Sequence, residues 1–165
     1  MKIFRPDFYL ENIFSVTPDF CVNQGIKALL LDVDNTLCIF HTDYPLDGIL
    51  DWIEKMQESG IKLYILSNAK GDRLKRFAEK VNLPYFYMSM KPLPFKIKKA
   101  VKNLNFKRSE TALIGDQIFT DILGGNLAGT KTVLLDYIQA EASKFFKIKR
   151  YFERKIKSKL KRGDY

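Results

Sequence analysis

Five short apolar runs, at 28–31, 61–66, 85–88, 111–114 and 131–135, alternate along the chain with segments of helical apolar spacing at 46–58, 71–81, 94–104 and 118–128. Runs this short, apolar on both faces, suit strands covered by helices on either side of a parallel sheet. Strict strand–helix alternation predicts an α/β fold: a doubly wound, Rossmann-like, five-stranded parallel sheet flanked by helices. Ligands of such sheets bind beyond the carboxyl ends of the strands, so the residues that close each run matter most.

Those closing residues are polar. Ala28-Leu29-Leu30-Leu31 leads into Asp32-Val33-Asp34-Asn35-Thr36, and 61–66 leads into Ser67-Asn68. The third run precedes Lys91-Pro92, the fourth ends in Gly115-Asp116, and Asp121 falls in the first turn of the next helix. Side chains alternate along a strand, so Asp32 and Asp34 can share a side. Taken singly, each group has an ordinary reading: Asp and Asn at a solvated turn, Lys91 on the surface, Asp121 favouring a helix N-terminus. Taken together, four carboxylates converging on one place repel unless a cation balances them, and hard oxygen donors call for Mg²⁺. A phosphate brought beside them adds negative charge that the metal and Lys91 must screen.

In order, DVDNTL, LSN, MKP and GDQIFTD resemble the four motifs of the haloacid dehalogenase (HAD) superfamily of phosphotransferases, over roughly 25–135. Asn35 departs from the pattern, since glycine is frequent there in the superfamily. The DxDNTL form, Gly25-Ile26-Lys27 and the proline-bearing aromatic arm before them resemble a capless branch, subfamily IIIA, of YqeG-type phosphatases related to phosphatidylglycerophosphate phosphatases of mitochondria and plastids. The resemblance implies that Asp32 is the nucleophile that becomes an aspartyl phosphate and that Asp34 is the general acid and base. It implies Thr36, Ser67 and Asn68 as phosphate-binding groups and Lys91 as the neutralising cation. Metal binding would fall to Asp32, Asp116 and Asp34, the last through its main-chain carbonyl. Asp121 would bind the metal directly or from an outer position.

Composition bounds the rest. A chain of 165 residues, 46% hydrophobic, can bury a core. Neither a signal peptide nor a membrane-spanning run is predicted, which places the protein in the cytoplasm. Cys21 and Cys38 lack metal-site spacing and read as buried thiols, and His41 as a loop residue. Residues 1–25, with five aromatics and two prolines, read as an arm laid over the core.

The net charge of +9 is concentrated at one end: 144–162 holds ten basic residues against Glu153, leaving 18 basic and 18 acidic residues elsewhere. The expected organisation is a phosphatase domain with its arm over 1–140 and a basic amphipathic helix over 141–165. Ile148, Phe152, Ile156 and Leu160 would form its apolar stripe. That stripe can lie on an anionic phospholipid surface at the inner membrane face, dock on its own domain or a second subunit, or accompany RNA phosphates. Only a loop and one helix fit between Leu37 and Ile61, and only a helix and a strand between Asn68 and Lys91, so no cap domain is expected.

Three functions remain open on the sequence. The first is a Mg²⁺-dependent phosphomonoesterase acting on phosphatidylglycerophosphate at the membrane. The second is the same enzyme acting on a soluble sugar phosphate, nucleotide, phosphoprotein or nucleic-acid end. The third is an RNA- or ribosome-associated binding module on the same fold.

Overall fold

The computed structural model describes residues 2–69, 71–86, 88–139 and 143–163. Its strands are β1 (Phe8–Tyr9), β2 (Ala28–Leu31), β3 (Lys62–Leu66), β4 (Tyr85–Phe86), β5 (Thr111–Gly115) and β6 (Lys131–Leu134). Its helices are α1 (Pro18–Asn23), α2 (Ile49–Glu58), α3 (Asp72–Val81), α4 (Pro94–Leu104), α5 (Leu123–Ala128) and α6 (Lys144–Lys157). The strands form one parallel sheet in the order β1-β6-β5-β2-β3-β4.

This order explains where the site forms. From β2 the chain steps outward through β3 to β4, then returns to β5 on the other side of β2 and continues to β6. The reversal between β2 and β5 opens a crevice at their carboxyl ends. Leu31 is in register with Ile114, and the Asp32 amide donates to the Ile114 carbonyl at 2.9 Å, so the residues just beyond both strands are neighbours.

Period-2 alternation fills both sides of the sheet. Leu29, Leu31, Leu63, Ile65, Ala112 and Ile114 join one core with Trp52, Ile53 and Met56 of α2 and Leu74 and Phe77 of α3. Leu30, Tyr64, Leu66 and Leu113 face the other way, onto Ile97, Ala100 and Val101 of α4 and Ala128 of α5. Pro94 opens α4 at a position where no amide donor is needed, and Asn105 closes it in the left-handed conformation.

The sheet has six strands rather than the expected five. The addition is β1, from the aromatic arm, paired with β6 through Phe8 and Val133. Two residues are too few to show a strand period, but the arm is well anchored, with Phe8, Leu10, Ile13, Val16, Phe20 and Cys21 buried. The arm also sets the buried face of α2: of the apolar residues in the expected helix 46–58, Leu50 is 52% exposed, while Trp52 is buried and donates its indole N–H to the Val16 carbonyl at 2.8 Å. β4, the third of the expected runs, ends at Phe86; of the expected run 85–88, Tyr87 lies outside the described residues.

Cys21 and Cys38 are buried free thiols, each pushed up to about 12 by burial, which leaves them protonated and inert. The expected boundary at 140/141 lies outside the described residues. Among the described residues, no helix is long and apolar enough to cross a membrane.

The basic C-terminal segment is helical, but its face is rotated from the one expected. Phe146, Lys149, Arg150, Glu153, Ile156, Lys157 and Leu160 turn inward at helical spacing, with Arg150 and Glu153 buried. Ile156 and Leu160 pack near Ile118, Ile122 and Leu134, as do Phe4 and Tyr9 of the arm. Ile148 and Phe152, half of the expected stripe, are 62% and 51% exposed. Burial is decided by ion-pair partners waiting on the body, which helical spacing cannot reveal.

Candidate active site

Asp32 leaves the tip of β2 and Asp116 the tip of β5, both buried. Asp121 lies on a wide π-type turn, Ile118–Ile122, that carries the chain into α5. Gly115 permits the approach: a Cβ there would lie 2.4 Å from the Asp121 carboxyl carbon. Asp32, Asp116 and Asp121 each offer an oxygen within 4.8 Å of the others.

Lys91 ties this cluster together. Its Nζ donates to Asp32 Oδ1 at 2.6 Å and is ion-paired with Asp121 Oδ1 at 2.7 Å. Burial opposes the charge on Lys91, but Asp121 and Asp32 outweigh burial and hold its proton more tightly than usual. Met88 and Met90 flank Ser89 with φ of 47° and 56°, a left-handed backbone unusual for methionine that bends the segment entering the site. Asn68 fixes this segment. Its Oδ1 accepts from the Ser89 hydroxyl at 2.8 Å and the Lys91 amide at 2.9 Å, and its Nδ2 donates to the Lys91 carbonyl at 3.0 Å.

The carboxylates lack enough positive charge. Burial pushes Asp32 up to about 7, with Lys91 opposing and Asp121 and Asp34 adding to the rise. Burial pushes Asp116 up to about 8, with Arg150 opposing and Asp121 and Asp32 adding. Among the described residues, Asp116 Oδ1 is buried without a hydrogen-bond partner. An orphaned carboxylate oxygen inside an all-oxygen cluster fits a hard divalent cation.

Asp34 is turned elsewhere. Both its oxygens are held by Arg73, and Oδ1 also accepts the His41 amide at 2.9 Å. Asn35 has φ of 58°, which explains why glycine suits this position and why asparagine replaces it readily. His41 supplies a main-chain donor and lies at the edge of the cleft.

These groups sit in an open cleft of about 350 Å³ lined by Asp32, Asp34, Ser67, Asn68, Lys91 and Asp121, together with Phe40, Arg73, Phe145, Phe146 and Lys149. Ser67 Oγ accepts the Ala69 amide at 3.1 Å and can still donate its own hydrogen. Thr36 is buried, its hydroxyl unpartnered among the described residues, and it does not line the cleft. The structure thus brings together Asp32, Lys91, Asp116 and Asp121, sets Asp34, Ser67 and Asn68 on the same cleft, and leaves Thr36 buried outside the cleft lining.

Sequence reasoning missed Arg73, Arg150 and Glu153. Arg73 is one cation in a charged helix, and Arg150 is one of ten in a basic run. The lone acid among them, Glu153, was the available signal.

A haloacid dehalogenase-like hydrolase family profile matches residues 2–129. The chain is 36% identical over 161 residues to the probable phosphatase YqeG of Bacillus subtilis, covering 98% of this chain and 94% of that protein. It is 29% identical to the mitochondrial phosphatidylglycerophosphatase GEP4 of Saccharomyces cerevisiae, covering 82% and 78% respectively. The fold is shared with cobalt-bound deoxy-D-mannose-octulosonate 8-phosphate phosphatase of Haemophilus influenzae, at a TM-score of 0.52 and 20% identity over 76% of this chain and 75% of that one. It is also shared with NagD of E. coli, at a TM-score of 0.56 and 14% identity over 74% and 91%. The chain therefore belongs to the haloacid dehalogenase-like hydrolases.

Proposed function

We propose that the protein hydrolyses a phosphomonoester with Mg²⁺ through an aspartyl phosphate on Asp32, and that its substrate is the lipid phosphatidylglycerophosphate. The observation that carries the chemistry is the meeting of Asp32, Asp116 and Asp121 within 4.8 Å around the Lys91 ammonium. Asp32, Asp116 and Asp121 would hold Mg²⁺, with the main-chain carbonyl of Asp34 a further donor; the ion would offset charge on the phosphoryl oxygens.

In this reading an Asp32 carboxylate oxygen forms a bond to phosphorus as the ester P–O bond breaks, and Asp34 gives its proton to the departing oxygen. Asp34 then takes a proton from water, whose oxygen attacks phosphorus and releases Asp32 and inorganic phosphate. Because Arg73 holds both Asp34 oxygens, the fork must open before Asp34 carries a proton. Lys91 neutralises charge shared by nucleophile and phosphoryl group, and Ser67 donates to a phosphoryl oxygen. Asn68 serves chiefly by holding the Lys91 segment. Thr36, buried and outside the cleft lining, takes no direct step in this reading.

The lipid assignment draws on the outer surface. Phe145, Ile148, Tyr151 and Phe152 are exposed on α6 among its lysines and arginines, and Phe145 also lines the cleft. Met90 and Leu93, on either side of the Lys91-Pro92 step, are exposed as well. Aromatic rings among cations beside an open cleft suit an anionic lipid surface, with each nearby cation contributing roughly 1 kcal/mol. Similarity to a phosphatidylglycerophosphatase supports the same headgroup.

The test is phosphate release from phosphatidylglycerophosphate in mixed micelles, with and without Mg²⁺, for wild type and Asp32→Asn. Release that needs both metal and Asp32 is expected. Cleavage of an aryl phosphate alone would move the substrate to soluble phosphates.

A further inference from the structure

α6 belongs to none of the four motifs, yet it reaches the centre of the site. Arg150 is ion-paired through Nη2 to Asp116 Oδ2, and its Nη1 donates to the Asp116 main-chain carbonyl at 2.9 Å. One guanidinium thus bridges the side chain and backbone of a single residue, restraining rotation of that carboxylate. Among the described residues only Asp116 Oδ2 is engaged, Oδ1 being buried without a hydrogen-bond partner, and Asp116 is one of the three clustered carboxylates.

The guanidinium is itself held. Glu153 Oε2 accepts from Arg150 Nη1 at 2.9 Å, and Glu153 Oε1 accepts the Phe119 amide at 3.2 Å. The Tyr137 ring lies 5.0 Å from the Arg150 guanidinium carbon. Lys149, one residue earlier, donates to Gln117 Oε1, and Lys157 donates to the Leu135 carbonyl at 3.1 Å. Arg150, Lys149 and Glu153 thus contact residues 116, 117 and 119, on the segment joining Asp116 to Asp121, while Lys157 and the Tyr137 contact tie α6 to the residues after β6.

Charge makes the arrangement compatible with a bound cation. Asp32, Asp116, Asp121 and Glu153 face Lys91 and Arg150. When ionised, these four carboxylates exceed the two cations paired with them, and Lys149 on the cleft wall offsets only part of the difference, so the cluster keeps a net negative charge suited to a divalent ion. Arg150 alone would repel a metal, but Glu153 offsets it.

We propose that Arg150, braced by Glu153, is a positioning residue that holds Asp116 with Oδ1 presented to Mg²⁺, so that the basic C-terminal helix completes the metal centre. This rests on the reading of the three carboxylates as a Mg²⁺ site. Groups that orient metal ligands from outside typically affect metal affinity by roughly ten- to hundredfold.

The experiment is calorimetric titration of Mg²⁺ into the full-length protein, comparing wild type, Arg150→Met, Arg150→Lys and Asp116→Asn, with circular dichroism and melting of each metal-free variant. Arg150→Met should bind Mg²⁺ roughly ten- to hundredfold more weakly. Arg150→Lys keeps the charge and loses the fork, so it should fall between Met and wild type. Unchanged or tighter binding by folded Arg150→Met would overturn the proposal, as would Arg150→Lys matching wild type, because both would make Arg150 a bystander or a competing cation. Should Arg150→Met fail to fold, the Arg150→Lys comparison decides alone. Wild type that binds no Mg²⁺, or Asp116→Asn that binds as well as wild type, would overturn the metal-site reading and the proposal together. Normal wild-type binding with insensitive Arg150 variants would overturn the proposal only.

Discussion

Arg73 grips Asp34 through both guanidinium nitrogens, Nη1 to Oδ1 at 3.0 Å and Nη2 to Oδ2 at 2.7 Å. The pair is mostly shielded, and Arg73 Nη1 also donates to the Thr42 carbonyl at 2.8 Å, which ties α3 to the loop after β2. Hydrogen bonds to charged groups are worth about 1.5–3 kcal/mol. Arg73→Met and Asp34→Asn should each destabilise the fold, and the double variant should lose less than their sum, with a coupling of about 1–3 kcal/mol by denaturant unfolding. Additive losses would mean the fork contributes nothing to holding the loop.

Gly115→Ala tests how closely β5 approaches the π-type turn. The new methyl would fall 2.4 Å from both the carboxyl carbon and Oδ2 of Asp121. Overpacking of this kind costs about 1–3 kcal/mol, and relief would come from moving Asp121. The variant should melt lower and turn over aryl phosphate markedly more slowly. Wild-type activity with a lowered melting temperature would show that Asp121 moves without consequence for catalysis.

Chelator-treated protein should lose stability as pH rises from about 4 to about 8. Asp32 and Asp116 titrate near 7 and 8 when folded, against an ordinary value of 3.8. Between those limits the folded state binds protons that the unfolded state has released. Their contribution is therefore fully present below about 4. It is lost as pH passes the folded values. Saturating Mg²⁺ should flatten the slope, since the carboxylates then hold a cation instead of protons. Melting curves from pH 4 to 8, with EDTA or Mg²⁺, measure both; a metal-free melting temperature that climbs over this range would contradict the charge balance described.

Ile148 and Phe152 carry the surface part of the lipid reading. Ile148→Ser with Phe152→Ser should weaken sedimentation with anionic vesicles on the order of tenfold, since each partly inserted side chain is worth about 1 kcal/mol. Stability should change by less than about 0.5 kcal/mol, because both side chains lie more than half exposed on the surface. Undiminished vesicle binding would remove this face from any membrane role.

The sheet was legible because its signal is local. Leu29, Leu30 and Leu31 are apolar on both faces, and the polar tips follow them directly in sequence. The clustering of Asp32 with Asp116 was legible only through the motifs, since adjacency of β2 and β5 follows from strand order rather than from either run. β1 was not legible, being two residues recruited by the edge of β6. Nor was the orientation of α6: apolar periodicity favoured Ile148 and Phe152, whereas Asp116 and the Phe119 amide draw Arg150 and Glu153 inward. Asn68 shows the same limit within a motif, because nothing in the string LSN reveals that its amide holds the Lys91 segment.

With its ionic groups inside and its rings outside, α6 separates two kinds of selective constraint. Phe146, Arg150 and Glu153 answer to the body of the molecule, while Ile148, Tyr151 and Phe152 touch little of it. Substitutions on the outer face can accumulate without disturbing folding, so that face can diverge between relatives as rapidly as their surroundings differ, while the inner face stays tied to the carboxylates beneath it.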